Sequence, residues 1–301
     1  MQDIVSRYPI TTLAGKELLA AGEVCSPSNL QAIIKAASNT VQHVKLMMGY
    51  NTISKDLIDL LTKPPYSVIF AERQVREDVL DVIHKVTVPE PMLEALDYFK
   101  EYDAHTYLHM LAIYALSILL AWELDSSGID RIQEVLAGPS HDLGKINVPI
   151  EILTKTESLV RAEQDHLKHH ALAGYVHLAC HFKDSSSYAA RLARDHHERL
   201  DGSGYPGAIR QRDPFVEVIA IADIYDALIS PRPYRPQSYD NRTAIEEITR
   251  LAEAGKINWD TVKTLVVYNR KDKPHGRPFH VSLEKRGMPP TENRYGTIAD
   301  P

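Results

Sequence analysis

Hydrophobic and polar positions change their rhythm near residue 90. Upstream the pattern is mixed. ITTLAGKELLAAGEV, residues 10–24, predicts two short strands around Gly15. SPSNLQAIIKAA then opens a helix, with Ser26 as N-cap, Pro27 at the first helical position, and Leu30, Ile33, Ile34 and Ala37 on one face. PPYSVIF, residues 64–70, reads as a strand after a Pro-Pro break, and helical spacing resumes at Val75, Val79, Val82 and Ile83. The stretch VTVPEP marks a boundary near residue 90. From there to Asn269 the signal is almost wholly helical. It includes an apolar run from Met110 to Trp122 that falls short of the roughly 20 residues a membrane span needs, so it predicts a buried core helix. Beyond residue 270, Pro, Gly and charge mix without period, which predicts a tail that is loosely ordered or lies over the surface. The expected fold class is mainly α, with a small α/β module over 1–90, an all-helical domain over 91–269 and a C-terminal tail over 270–301.

Composition narrows the function classes. With 44% hydrophobic and 25% charged residues in 301, the chain can bury a sizeable core and has room for two domains. A formal charge of -6 argues against a general nucleic-acid binder, although a small phosphorylated ligand needs only a local cluster of cations. Cys25 and Cys180 are too few for a disulfide framework or a thiolate metal cluster. Asp3 and Arg7 interrupt what would be the apolar part of an export signal, so the expectation is a cytoplasmic protein without a membrane partner. Histidine is the unusual component, since ten of the fourteen lie between His105 and His197.

The histidines recur beside carboxylates. SHDLGKINVP, residues 140–149, sets a histidine, an aspartate and a lysine within five positions on a Gly-punctuated turn, and buried charge is costly unless it is paired or bound to metal. Other metal-ligand types are Glu101 with His105, the HLKHH run ending at His170, His196 with His197, and Asp223. Glu101 and His105, four apart, would share one helix face and converge on a single ion. Adjacent helical residues such as His141 and Asp142 would point about 100° apart and divide their bonds between neighbouring ions. Imidazole and carboxylate without thiolate suit iron, manganese, zinc or nickel. Each piece alone has a bland reading. His109, His166, His169, His177 and His181 are most simply surface or core side chains, and Glu101 alone is a solvated charge. HHERLD lacks the second histidine that a zinc-protease motif requires.

In combination, HDLGKINVP, HHALAG, HHERLDGSGYP, IADIYDALIS and RPYR occur in the order and approximate spacing of HD-GYP domains, and the chain resembles that subgroup of HD phosphohydrolases over residues 95–268. The resemblance implies an HD-type helical catalytic domain that acts as a cyclic di-GMP phosphodiesterase. It implies metal ligation by His141, Asp142, His170, His196, His197 and Asp223, with Asp142 as the bridge. His105 matches a further ligand position, and Glu101 matches the extra carboxylate that some members use for a third metal. Asp226 would cap or brace its helix. Leu108 stands where the family usually carries an arginine, and the loop after GYP lacks a second glycine and a later arginine. LTKTESL replaces a Lys-Pro-Gly turn.

The chemistry agrees with the resemblance. Phosphodiester hydrolysis needs a nucleophile at neutral pH and positive charge on the non-bridging oxygens, which two metals about 3.5–4 Å apart supply, with a bridging hydroxide as the expected attacker. Lys145 would hold the phosphate or steady developing charge. Arg232 and Arg235 would clamp a second phosphate or a guanine edge. Asp201, Gly202, Gly204, Tyr205 and Pro206 form a tight loop beside the His196–His197 pair, to which the resemblance adds substrate access or docking of partner cyclase domains. The expected activity is metal-dependent conversion of a cyclic dinucleotide, cyclic di-GMP foremost, to pGpG or GMP by two or three ions of iron or manganese. The alternatives are an HD phosphohydrolase of another nucleotide such as cyclic GMP-AMP, or a low-turnover binding or scaffolding module. For the N-terminal module, the resemblance implies signal sensing or self-association.

Overall fold

The structure, a computed structural model, describes residues 3–37, 43–124, 140–232, 235, 237–270, 272–273, 279–282 and 284–291. The N-terminal part carries two small antiparallel pairs. Strand β1 (Ile4–Val5) pairs with β4 (Val24–Cys25), and between them β2 (Ile10–Thr11) pairs with β3 (Glu17–Leu19) as the hairpin around Gly15 predicts. The β1–β4 pair has no counterpart in the sequence reading, because two-residue strands are too short to show alternation. Helix α1 (Pro27–Ala37) starts as expected. Ser26 Oγ accepts from the Asn29 amide at 3.2 Å, and Leu30 and Ile34 are buried.

After β5 (Val44–Leu46) come helices α2 (Ile53–Thr62) and α3 (Arg73–Ile83), then β6 (Thr87–Pro89), which closes a third antiparallel pair with β5. The segment expected to be a strand at 64–70 is instead a 3-10 turn over Tyr66–Val68. Its backbone closes on itself, Ser67 N donating to Lys63 O and both Ile69 N and Phe70 N to Tyr66 O, which takes those amides out of any ladder.

Helices α4 (Glu90–Tyr102) and α5 (Ala104–Leu124) follow one another across Asp103. Asp103 leaves helical geometry at φ -145°, and its carboxylate accepts from the Thr106 amide and hydroxyl, which starts a new helix. Helix α5 is 21 residues, longer than its apolar stretch because His105, Thr106, His109 and Glu123 extend it at both ends without breaking helical propensity. By length and composition it is long and apolar enough to cross a membrane, but Met110 to Leu120 are all buried in the protein's own core. A helix that is apolar all round belongs in such a core. Among the described residues, helices α2, α3 and α4, α10 (Pro214–Ile229) and α12 (Trp259–Asn269) pack on it. One hydrophobic cluster therefore runs from Ile10 to Tyr268 and joins the N-terminal part to the helices that follow.

The remaining helices are α6 (Ile150–Leu153), α7 (Arg161–Lys168), α8 (His170–Phe182), α9 (Tyr188–Asp195) and α11 (Asn241–Glu253). Part of the sequence expected as a tail lies on α11: Glu246 Oε2 accepts from the amides of Arg286 and Gly287 at 2.9 and 2.7 Å.

Candidate metal centre

Five separate pieces of backbone deliver the site. His109 comes from the first turns of α5, His141 and Asp142 from the turn before the 3-10 helix Leu143–Asn147, His170 from the first residue of α8, His196 and His197 from just past α9, and Asp223 from α10. The adjacent pairs thus sit on turns and not on helices as expected. Turns let both side chains of a pair face inward, which a 100° helical step does not. Glycine brings the pieces together. A Cβ at Gly144 would collide with the His170 carbonyl and the Gly174 amide, so the HDLGK turn lies directly on α8 only because Gly144 has none. Gly204 does the same for the DGSGYP turn, which folds back on the His197–Glu198 backbone.

Asp142, 2% exposed, stands between two sets of imidazoles. Its Oδ1 is 3.3 Å from His170 Nε2 and 4.0 Å from His196 Nε2. Its Oδ2 is 3.3 Å from His109 Nε2, 3.4 Å from His141 Nε2 and 2.5 Å from Lys145 Nζ. On the first side His170 Nε2 also lies 3.3 Å from His196 Nε2 and 3.1 Å from His197 Nε2. On the second, His109 Nε2 lies 3.2 Å from His141 Nε2 and 3.3 Å from Asp223 Oδ1. Among the described residues, His170–His196–His197, His109–His141–Asp223 and His141–Asp142–His196 each place their donor atoms within 4.8 Å of one another.

The far ring nitrogens decide what this crowding means. His170 Nδ1 donates to Leu167 O at 2.6 Å, His196 Nδ1 to Ala193 O at 2.9 Å, and His109 Nδ1 to Asp226 Oδ2 at 2.6 Å. Those bonds place the single proton of a neutral imidazole on Nδ1 and leave the Nε2 lone pair facing the site. The Nε2 atoms of His170 and His196 then have no proton to share, and only a cation between them satisfies both. Charge states agree. Burial foremost, then the neighbouring imidazoles, holds His196 well below the ordinary range, and burial lowers His170 as well. Burial opposes charge on Asp142 and Asp223, yet Lys145 and His141 around the first and His109 around the second keep both carboxylates well below the usual range. His109 is the exception: burial favours its neutral form, but Asp226, Asp142 and Asp223 push it up to about 10.

His109 is the residue that sequence reasoning missed. A lone histidine in an apolar helix looks like core, and its brace Asp226 is 117 positions away. The available signal was that His105 and His109 are four apart on α5. Glu101 and His105 share no helix face, because Asp103 interrupts the helix between them. Glu101 is exposed at the end of α4. His105 is one turn before His109, with Nε2 buried and without a hydrogen-bond partner among the described residues. Glu101→Ala is therefore expected to leave metal content and turnover within about twofold of the parent, as a surface substitution should. A loss of metal measured by plasma mass spectrometry in that variant would restore the carboxylate to the site.

Other expected residues divide. Lys145 is at the site through Asp142. Arg235 is not a substrate clamp: it is 2% exposed, and its guanidinium donates to Leu228 O at 2.7 Å, which also accepts from the Tyr239 amide at 3.0 Å, and to Ser230 O at 2.8 Å, at the C-terminal end of α10. Arg232 is half-buried and reaches Asp226 Oδ2 at 3.3 Å. Asp201 accepts from the Ser203 amide and shapes its own turn. Tyr205 stacks on His197 with ring centroids 4.5 Å apart, and Lys168 Nζ lies 5.5 Å above the same ring. Buried Glu198 holds the loop, accepting from the amides of Gly207 at 2.6 Å and Ile209 at 3.0 Å. Beyond Tyr205 a cavity of about 380 Å³ is lined by Asp3, Arg7, Asp165, Lys168 and His169 among others.

The family model of the HD domain matches residues 86–258. The chain belongs to the HD domain family. A cyclic di-GMP phosphodiesterase of Thermotoga maritima is 34% identical over 84% of this chain and 67% of its own length. A cyclic di-GMP phosphodiesterase of Pseudomonas aeruginosa is 34% identical over 58% of this chain and 42% of its own. A 3'3'-cGAMP-specific phosphodiesterase of Vibrio cholerae is 35% identical over 44% of this chain and 28% of its own. This chain thus spans two thirds of the first and less than half of the other two. The HD family and the imidazole–carboxylate clusters together indicate a centre for divalent metal.

Proposed function

We propose that this protein is a metal-dependent phosphodiesterase that opens a cyclic dinucleotide, cyclic di-GMP foremost, to pGpG or GMP. The observation that carries the reading is the position of Asp142, one oxygen toward each set of histidines. The donor sets fit metal. His109, His141, Asp223 and Asp142 Oδ2 would hold one ion, and His170, His196, His197 and Asp142 Oδ1 would hold another. Nitrogen and oxygen donors of this kind suit iron or manganese, with zinc and nickel as alternatives. Bound divalent ions supply positive charge to the phosphodiester and a nucleophile at neutral pH.

The chain's own residues do the rest. Lys145, anchored on Asp142, holds a non-bridging phosphate oxygen as charge builds on it. Tyr205, held flat on His197, forms one wall of the entrance and offers a face on which a base stacks. The cavity beyond it takes the second nucleotide, with Arg7 and Lys168 as cations. The similarity to two cyclic di-GMP phosphodiesterases supports this substrate class, and the similarity to a 3'3'-cGAMP-specific phosphodiesterase supports a second reading in which the substrate is 3'3'-cGAMP.

The test is a product analysis. Protein loaded with ferrous or manganous ion without oxygen is incubated with cyclic di-GMP or 3'3'-cGAMP, and the nucleotides are resolved by chromatography. Linear dinucleotide or mononucleotide is expected from one or both, and its formation should stop on chelation. Intact substrates at full metal occupancy would overturn the reading in favour of a binding module.

A further inference from the structure

Behind the metal centre is a second buried network that the hydrolytic reading does not use. Asp226, fully buried on α10, divides its oxygens. Oδ2 accepts from His109 Nδ1 at 2.6 Å and from Arg232 at 3.3 Å. Oδ1 accepts from Ser230 Oγ at 2.9 Å and from the hydroxyl of Tyr66, which itself lies 2.6 Å from Ser230 Oγ. Tyr66 is 4% exposed and comes from the 3-10 turn Tyr66–Val68, upstream of the HD match at 86–258. Ile69 and Phe70, both fully buried, fix that turn in the core. A carboxylate held at one oxygen by two hydroxyls cannot rotate freely, so its other oxygen presents a fixed acceptor to the imidazole. Partners of that kind set the tautomer and plane of a metal-ligating histidine.

We infer that Tyr66 is a positioning residue for the metal centre, setting His109 through Asp226, and that the N-terminal part thereby bears directly on metal affinity. The inference rests on the reading of His109 as a metal ligand. The position of the Tyr66 turn and the readiness of the centre are then one variable, and a signal that shifts the turn loosens His109 without touching substrate.

The experiment measures manganese affinity of the full chain by competition with a chromogenic chelator, for the parent, Tyr66→Phe, His109→Ala and the double variant. Tyr66→Phe keeps the ring and removes the hydroxyl. It is expected to weaken manganese binding about tenfold, the lower end of the range for such partners, with the thermal midpoint nearly unchanged. In the His109→Ala background the same substitution should have no further effect on affinity, whereas a merely structural tyrosine would act equally in both. If His109→Ala itself leaves affinity and stoichiometry unchanged, the ligand assignment fails and the inference with it. If His109→Ala loses metal but Tyr66→Phe binds like the parent, the inference alone is overturned. Should Tyr66→Phe not fold, Ser230→Ala removes the other hydroxyl that holds Asp226 Oδ1. It is expected to weaken binding in the same direction, and parent-like affinity there would refute the coupling.

Discussion

Asp142→Ala is expected to strip the protein of most of its bound divalent metal and to lower cyclic-dinucleotide turnover by at least about 10³-fold, while the far-ultraviolet circular dichroism stays helical. The large effect follows from the two faces of one carboxylate. Oδ1 serves the His170 side and Oδ2 the His141 side, so a single truncation removes an anionic donor from both sets. It also releases Lys145, whose ammonium is placed by the 2.5 Å contact with Oδ2. The five imidazoles then face a site that has lost its central negative charge, and the affinity for a divalent cation falls accordingly. The fold should survive, because the turn is held by backbone bonds that do not involve the side chain, such as Lys145 N to Asp142 O at 2.9 Å. Metal content by mass spectrometry and product formation by chromatography check both halves. Parent-like turnover with a full complement of metal would remove Asp142 from the centre of the mechanism.

What could be read in advance follows the physics of each segment. The helices of the HD region were legible because apolar residues repeat there at helical spacing. The hairpin at Gly15 was legible from turn chemistry. Tyr66 was not, since an apolar run after two prolines has the same composition as a strand and only the burial of its hydroxyl against Asp226 favours a turn. At the site, motifs that carry their ligands on turns were legible because histidine beside aspartate and glycine is rare without a reason. His109 was hidden by its helix, where every residue from Met110 to Leu120 is buried and a histidine passes for packing. Arg235 misled in the opposite direction. Two arginines near a site look like an anion clamp, but Arg235 is turned onto carbonyls at the end of α10, and that is visible only once the helix end is placed.

Gly144→Ala is the second substitution with a large expected effect, and it adds only one methyl group. The HDLGK turn rests on α8 with no space between the backbones. A Cβ at residue 144 would lie far inside van der Waals contact of the His170 carbonyl oxygen and the Gly174 amide nitrogen. Neither neighbour can yield cheaply, because both are main chain. Gly174 is itself pressed close, its own Cβ position 3.3 Å from Ala193 Cβ. The turn must therefore lift away from α8, at a cost of about 3 kcal/mol or more by comparison with overpacked cores. The displacement has a direction. It moves His141 and Asp142 away from His170, the ligand at the first residue of α8, and so opens the 3.3 Å approach of Asp142 Oδ1 to His170 Nε2. The expected result is a lowered thermal midpoint together with weakened metal binding, even though no ligand has been changed. Saturating manganese should recover part of the midpoint, because metal binds only the folded arrangement. A variant with parent-like stability and metal affinity would mean that the glycine is not what seats the turn, and that the two halves of the centre are held together by the ligands alone.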